Sequence, residues 1–168
     1  MCIRDRSYDS SKGELTVKVK QTQDTGNGTP LYNIPNAKVG VIVGGKVTEL
    51  SAPLNGTAEQ TIVLKTQVPD AVLLDPNRDY LREIPTVHWL DSELVPILKA
   101  APCAPDRAEA VRRLLDAGGD ANIQAVVDVV RQDKDLNPAF RNVMGLVNLA
   151  KPELRAFWLD QLAKSCLL

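Results

Sequence analysis

The sequence predicts an antiparallel β-sandwich followed by an α-helical solenoid of about five helices. Two changes along the chain carry that expectation. Residues 14–75 alternate apolar and polar side chains, the period of half-buried strands. Residues 92–164 repeat apolar residues every three or four positions, the period of amphipathic helices. A chain of 168 residues that is 44% hydrophobic can hold two small cores, one for each period. The expected division is a non-native leader at 1–7, a sandwich at 8–84, a linker at 85–91 and a truncated solenoid at 92–168.

Each strand has a local reason. Leu15, Val17 and Val19 share one face, with Thr16, Lys18 and Lys20 on the other. The run from Asp24 to Pro30 reads as a loop, because its Gly and Asn residues tolerate positive φ. Val39, Val41 and Val43 form the next inward face, and Gly44-Gly45 turns the chain into a strand at 46–50. Pro53 and Asn55-Gly56 end that strand. Gln60, Ile62 and Leu64 alternate again, Val72 and Leu74 start a short strand after Pro69, and Asp75-Pro76-Asn77 closes the block as a turn.

Helical signals follow. Asp91 or Ser92 is placed to cap a helix with Leu94, Ile97 and Leu98 on one stripe, and Pro96 fits only within its first turn. Asp106 reads as the cap of a second helix carrying Val111, Leu114 and Leu115, stopped by Gly118-Gly119. Asp120 opens a third with Ile123, Val126 and Val127. Asn137-Pro138 and Lys151-Pro152 open a fourth and a fifth. The triads Leu94/Ile97/Leu98, Ile123/Val126/Val127 and Leu154/Phe157/Trp158 share one spacing, offset by 29 and then 31 residues. A helix-pair repeat near that length is the mark of a solenoid, and the array stops within a repeat.

Composition removes several functions. A net charge of −1 argues against a basic nucleic-acid surface. No apolar stretch approaches the roughly 20 residues needed to span a bilayer as a helix. The opening MCIRDR is charged, lacks an apolar core and resembles a translated sequencing adapter. Cys2, Cys103 and Cys166 are widely spaced and, with the single His88, form no zinc-ligand pairs. Asn27 and Asn55 each begin an Asn-Gly-Thr sequon, although Asn-Gly is also a common turn dipeptide. The compartment is left open.

His88 and Trp89 are the candidate interdomain joint, since ligand crevices form where domains meet; the plainer reading is that Trp89 plugs the joint. Phe157 and Trp158 are a candidate packing or partner face. Asp106-Arg107 and Arg112-Arg113 are a candidate basic patch that, flanked by Glu109 and Asp116, reads as a mixed, solvated face, and Asp133-Lys134-Asp135 reads as an inter-helix turn. No catalytic or metal-ligating residue is assigned.

Beyond these patterns, the stretch from Gly13 to Glu83 contains GELTVKVKQTQ, PLYNIPNAKVGVIV, EQTIVLKT and P-x-x-V-x-L-D-P-N-x-x-x-L. It resembles the small β-sandwich that follows the catalytic domain in zinc aminopeptidases of the aminopeptidase N type. The run ELVPILKAAPCAPDRAEAVRRLL then stands where that family begins its HEAT-like helical domain. The resemblance implies a spacer and substrate-access scaffold, with the zinc and its HExxH ligands in a catalytic domain absent from this chain. The partners implied are that domain, the N-terminal domain and peptide, with no nucleic acid and no membrane segment. His88 has no second histidine four residues on, and no GxMEN-like run is present, so the family's chemistry has no residues to occupy here. The alternative reading is a stand-alone helical-repeat module that binds a protein or peptide.

Overall fold

The computed structural model describes residues 2–80 and 89–130. The chain divides into two compact units, Met1–Arg107 and Ala108–Leu168. In the first unit, strand β1 (Cys2–Asp9) pairs with β2 (Glu14–Lys20), and β2 pairs with β5 (Glu59–Lys65). Strand β3 (Asn33–Val43) lies between β4 (Lys46–Asn55) and β6 (Ala71–Leu74). All of these pairings are antiparallel.

Turn chemistry and register fix the two sheets. Gly44 and Gly45 adopt φ values of 57° and 76°, the pair of positive angles that a two-residue hairpin requires, and they join β3 to β4. The Asp70 carboxylate accepts the Gly44 N–H at 2.6 Å and pins that turn. Between β2 and β5 the register runs from Glu14 opposite Lys65 to Lys20 opposite Glu59. Leu15 and Val17 therefore face Leu64 and Ile62 on the inward side. With Ile3, Val19, Ala37, Val39, Val41, Leu54, Val72 and Leu74 they make one buried cluster drawn from both sheets.

The second sheet is also buried on its other side along β6 and the adjoining part of β3, while Glu49 and Ser51 of β4 on that side are exposed. Gly40, Ile42, Ala71 and Leu73 point away from that cluster, yet all are inaccessible. Helix α1 (Leu94–Ala100) lies against β3 and β6, and its Leu94, Ile97 and Leu98 are buried. A strand covered on both faces has no polar side to show, which is why β6 reads Ala-Val-Leu-Leu.

These findings correct the expected fold. The strands form two small three-stranded antiparallel sheets and not the expected sandwich, and α1 lies against β3 and β6 of the second. The helical part is not a five-helix solenoid either. Among the described residues it comprises a 3-10 turn at Asp91–Glu93, α1, α2 (Ala104–Ala117) and α3 (Asp120–Val130). The Leu94/Ile97/Leu98 stripe that suggested a repeat is used against strands, so its spacing signalled burial without stacking on a like helix. The helices expected from Asn137 and Lys151 lie outside the described residues. Residues 2–7, read as a leader, belong to β1, and the expected linker is described only at 89–91.

Helix starts differ from the sequence reading in an instructive way. Neither Asp91 nor Ser92 caps α1; the 3-10 turn precedes it, and the Glu93 carboxylate accepts the Leu90 N–H at 2.8 Å. Asp106 is not the cap of α2, because the helix begins at Ala104 and Asp106 sits within the first turn. In the second unit, Ala110, Val111, Leu114 and Leu115 of α2 and Val126 and Val127 of α3 are buried. Gly118 and Gly119, at φ 70° and 87°, end α2.

Candidate functional site

A dense polar construction in the first unit is the turn that leaves β6, from Leu74 to Tyr80. Asp75 is 1% exposed and adopts φ 54°, a left-handed conformation uncommon for a residue with a side chain. Its N–H donates to the Lys38 carbonyl at 2.8 Å. Its carboxylate accepts the N–H groups of Asp79 at 2.8 Å and Tyr80 at 3.2 Å. Arg78 is also left-handed, at φ 57°, and its N–H donates to the Asp75 carbonyl at 3.0 Å. Two such conformations cost about 1–3 kcal/mol each, so the surrounding bonds must hold them.

Packing and charge supply the hold. Pro76 presses onto Gly40 of β3 so closely that a Cβ at Gly40 would stand 2.9 Å from the Pro76 Cβ. Asn77 Nδ2 donates to Glu49 of β4 at 2.6 Å, and the Tyr80 hydroxyl donates to the Asn36 carbonyl at 2.8 Å. Lys38 Nζ lies 2.6 Å from Asp79 and 3.6 Å from Glu49. Its hydrogen bond to Asp79 raises the ammonium pKa.

From this turn Arg78 reaches into the helical segment, donating through one terminal nitrogen to Asp106 Oδ1 at 2.6 Å. Arg78 Nε is buried and has no acceptor among the described residues, so the grip is through one nitrogen and not a bidentate fork. The neighbouring Arg107 is buried and donates to the carbonyls of Ala101 at 2.7 Å and Pro102 at 2.8 Å. Those carbonyls follow α1, whose amide ladder can no longer serve them. Cys103 lies beside this group, and burial, followed by the Asp106 charge, pushes its thiol pKa up. A second tie joins Arg6 of β1 to Glu93, whose side chains are 10% and 6% exposed. Burial lowers the Arg6 pKa.

Chemically, this arrangement positions chain segments. The Asp75 carboxylate is directed at backbone amides, the Asp106 carboxylate at a guanidinium group, and the Glu93 carboxylate at a guanidinium group and a backbone amide. Among the described residues, no group of three or more His, Cys, Asp or Glu is placed to hold a metal ion. Among them, too, no helix is long and apolar enough to cross a membrane. An open depression of about 340 Å³ is lined by Asp5, Lys18, Lys20, Glu59 and Gln60, among others. Its cations are matched within it, Lys18 to Asp5 at 3.6 Å and Lys20 to Glu59 at 3.3 Å, which leaves no net charge to select a ligand.

Of the residues singled out by sequence, Trp89 is half-buried just before the 3-10 turn, while His88, Phe157, Trp158 and the Asp133-Lys134-Asp135 turn lie outside the described residues. Arg112 bonds to Glu109 and Asp116 along its own helix. Sequence reasoning missed Arg78 and Glu93, and it placed Asp106 and Arg107 on a solvated face, whereas both are buried. The Asp75-Pro76-Asn77 turn marks where the construction begins, but nothing local marks a partner 28 residues away. No protein-family model matches this chain, and no curated protein matches it.

Proposed function

We propose that this chain is a non-catalytic scaffold, the C-terminal portion of an aminopeptidase N-like zinc metallopeptidase. It serves as a spacer and limits substrate access to a catalytic domain carried elsewhere in the parent protein. The L-D-P-N turn is the observation that supports this reading most directly. The residues that carry the family resemblance, Asp75, Pro76 and Asn77, tie the turn to β3 and β4, and Arg78 beside them reaches the start of α2. The Asp75 carboxylate is spent on holding the turn, as a spacer's would be. In this reading the chain binds no metal of its own, and zinc belongs to the catalytic domain.

Extending the reading frame in the 5′ direction tests the proposal. The result expected is an HExxH motif with a downstream Glu ligand, ahead of the strand that begins GELTV. A continuous upstream frame without those ligands overturns it. The purified chain, incubated with aminoacyl anilides with and without zinc, is expected to release no product; zinc-dependent turnover by pure material refutes the scaffold reading.

A further inference from the structure

The loop between β2 and β3 carries a chemistry that the scaffold reading does not use. We propose that Asn27 is a site of spontaneous, backbone-assisted deamidation, converting before the second Asn-Gly pair at Asn55. The reaction needs an asparagine followed by a residue without a side chain, because the following backbone nitrogen must approach the amide carbon. Gly28 meets that need, and a Cβ placed on it would find nothing within 4 Å. Asn27 and Gly28 are both exposed, so water and hydroxide reach them.

The geometry also favours the charge that develops. Asn27 Oδ1 accepts the Thr29 N–H at 3.1 Å and the Thr29 hydroxyl at 2.6 Å. Gly28 N, after giving its proton to solvent base, bonds to Asn27 Cγ, and negative charge gathers on Oδ1 between those two donors. The Cγ–Nδ2 bond breaks, and ammonia leaves with a proton from solvent. Water then opens the cyclic imide at either carbonyl, giving aspartate or isoaspartate. One water is consumed, one ammonia is released and nothing is oxidised. The bond that must yield first is Gly28 N–H to the Thr25 carbonyl, at 3.2 Å the long end of the hydrogen-bond range.

Asn55 has the same dipeptide and a different setting. It is the last residue of β4, opposite Asn33, and its N–H donates to Gln60 Oε1 at 2.8 Å. Gly56 is half-buried, with the Leu31 carbonyl 3.6 Å from where its Cβ would stand. Turning that peptide for attack breaks the end of the strand pairing.

The product stays local. Gln21 clamps the base of the Asn27 loop, accepting the Tyr32 N–H and donating to the Tyr32 carbonyl, each at 2.9 Å. The test is warm, mildly alkaline incubation of the full chain, with peptide mapping and isoaspartyl methyltransferase labelling over time. Asn27 is expected to convert at least about tenfold faster than Asn55. Thr29→Val is expected to slow conversion at Asn27 about threefold, and Asn27→Gln to remove the early signal. Conversion at Asn55 as fast as at Asn27, or a Thr29→Val rate equal to or above that of the parent chain, overturns the proposal.

Discussion

In the first sheet, Lys18, Thr61, Val63 and Lys65 occupy the outward positions and are exposed, whereas in the second Ile42, Ala71 and Leu73 occupy them and are buried. Both sheets send their other face into the same apolar cluster. The difference is α1, which covers one sheet and not the other. Alternation along a strand therefore reports how many of its faces meet water, while strand pairing itself is indifferent to it. A short apolar run such as β6 can be as much a strand as the alternating β5.

The sharpest test of that contrast is a charge on the covered side. Ile42→Lys places an ammonium between β3 and its helical cover, and a loss of at least about 3 kcal/mol is expected in urea unfolding. Asp75→Ala removes the acceptor for two partly buried amides and leaves alanine in a left-handed conformation; about 1–3 kcal/mol should be lost, with Asp75→Asn losing less. Gly40→Val meets the Pro76 ring at once, and overpacking of this kind costs about 1–3 kcal/mol by thermal or urea unfolding. Arg78→Ala leaves the Asp106 carboxylate partly buried without its cation. About 1–2 kcal/mol is expected, with faster amide exchange in the first turn of α2 as the local reading. Val63→Lys completes the series on the open sheet. Val63 is 56% exposed, so unfolding should shift by no more than about 0.5 kcal/mol. Equal effects from Ile42→Lys and Val63→Lys would show that the two sheets are not covered differently.

The readable parts of the fold are those fixed by neighbours in sequence. The Gly44-Gly45 hairpin, the alternation of β2 and β5, the glycine stop after α2 and the buried stripe of α1 each follow from a few adjacent residues. What α1 packs against does not. Leu94, Ile97 and Leu98 have the same spacing whether a helix or a sheet lies opposite, so the stripe alone does not distinguish a solenoid from a helix laid on β3 and β6. The polar turn was half-legible for the same reason. Pro76 and Asn77 announce a reversal, but the reach of Arg78 to Asp106 depends on tertiary placement. Asp106 itself reads as a helix cap because acidic residues favour that position, and its bond to Arg78 is the competing use that placement inside the first turn allows. Residues 2–7 look foreign by composition, yet an extended segment with one inward apolar residue, Ile3, suffices to pair along β2.

The close approach of Pro76 to Gly40 makes these positions one unit of inheritance. The nearest clash is with the Pro76 Cβ, so a related chain that places any side chain at the position of Gly40 must carry glycine at that of Pro76 or have moved the whole turn outward. A side chain added at Gly40 alone is a defect that a compensating change at Pro76 must relieve. Relatives of this chain are therefore expected to change the two positions in step, a signature readable from sequences without another structure.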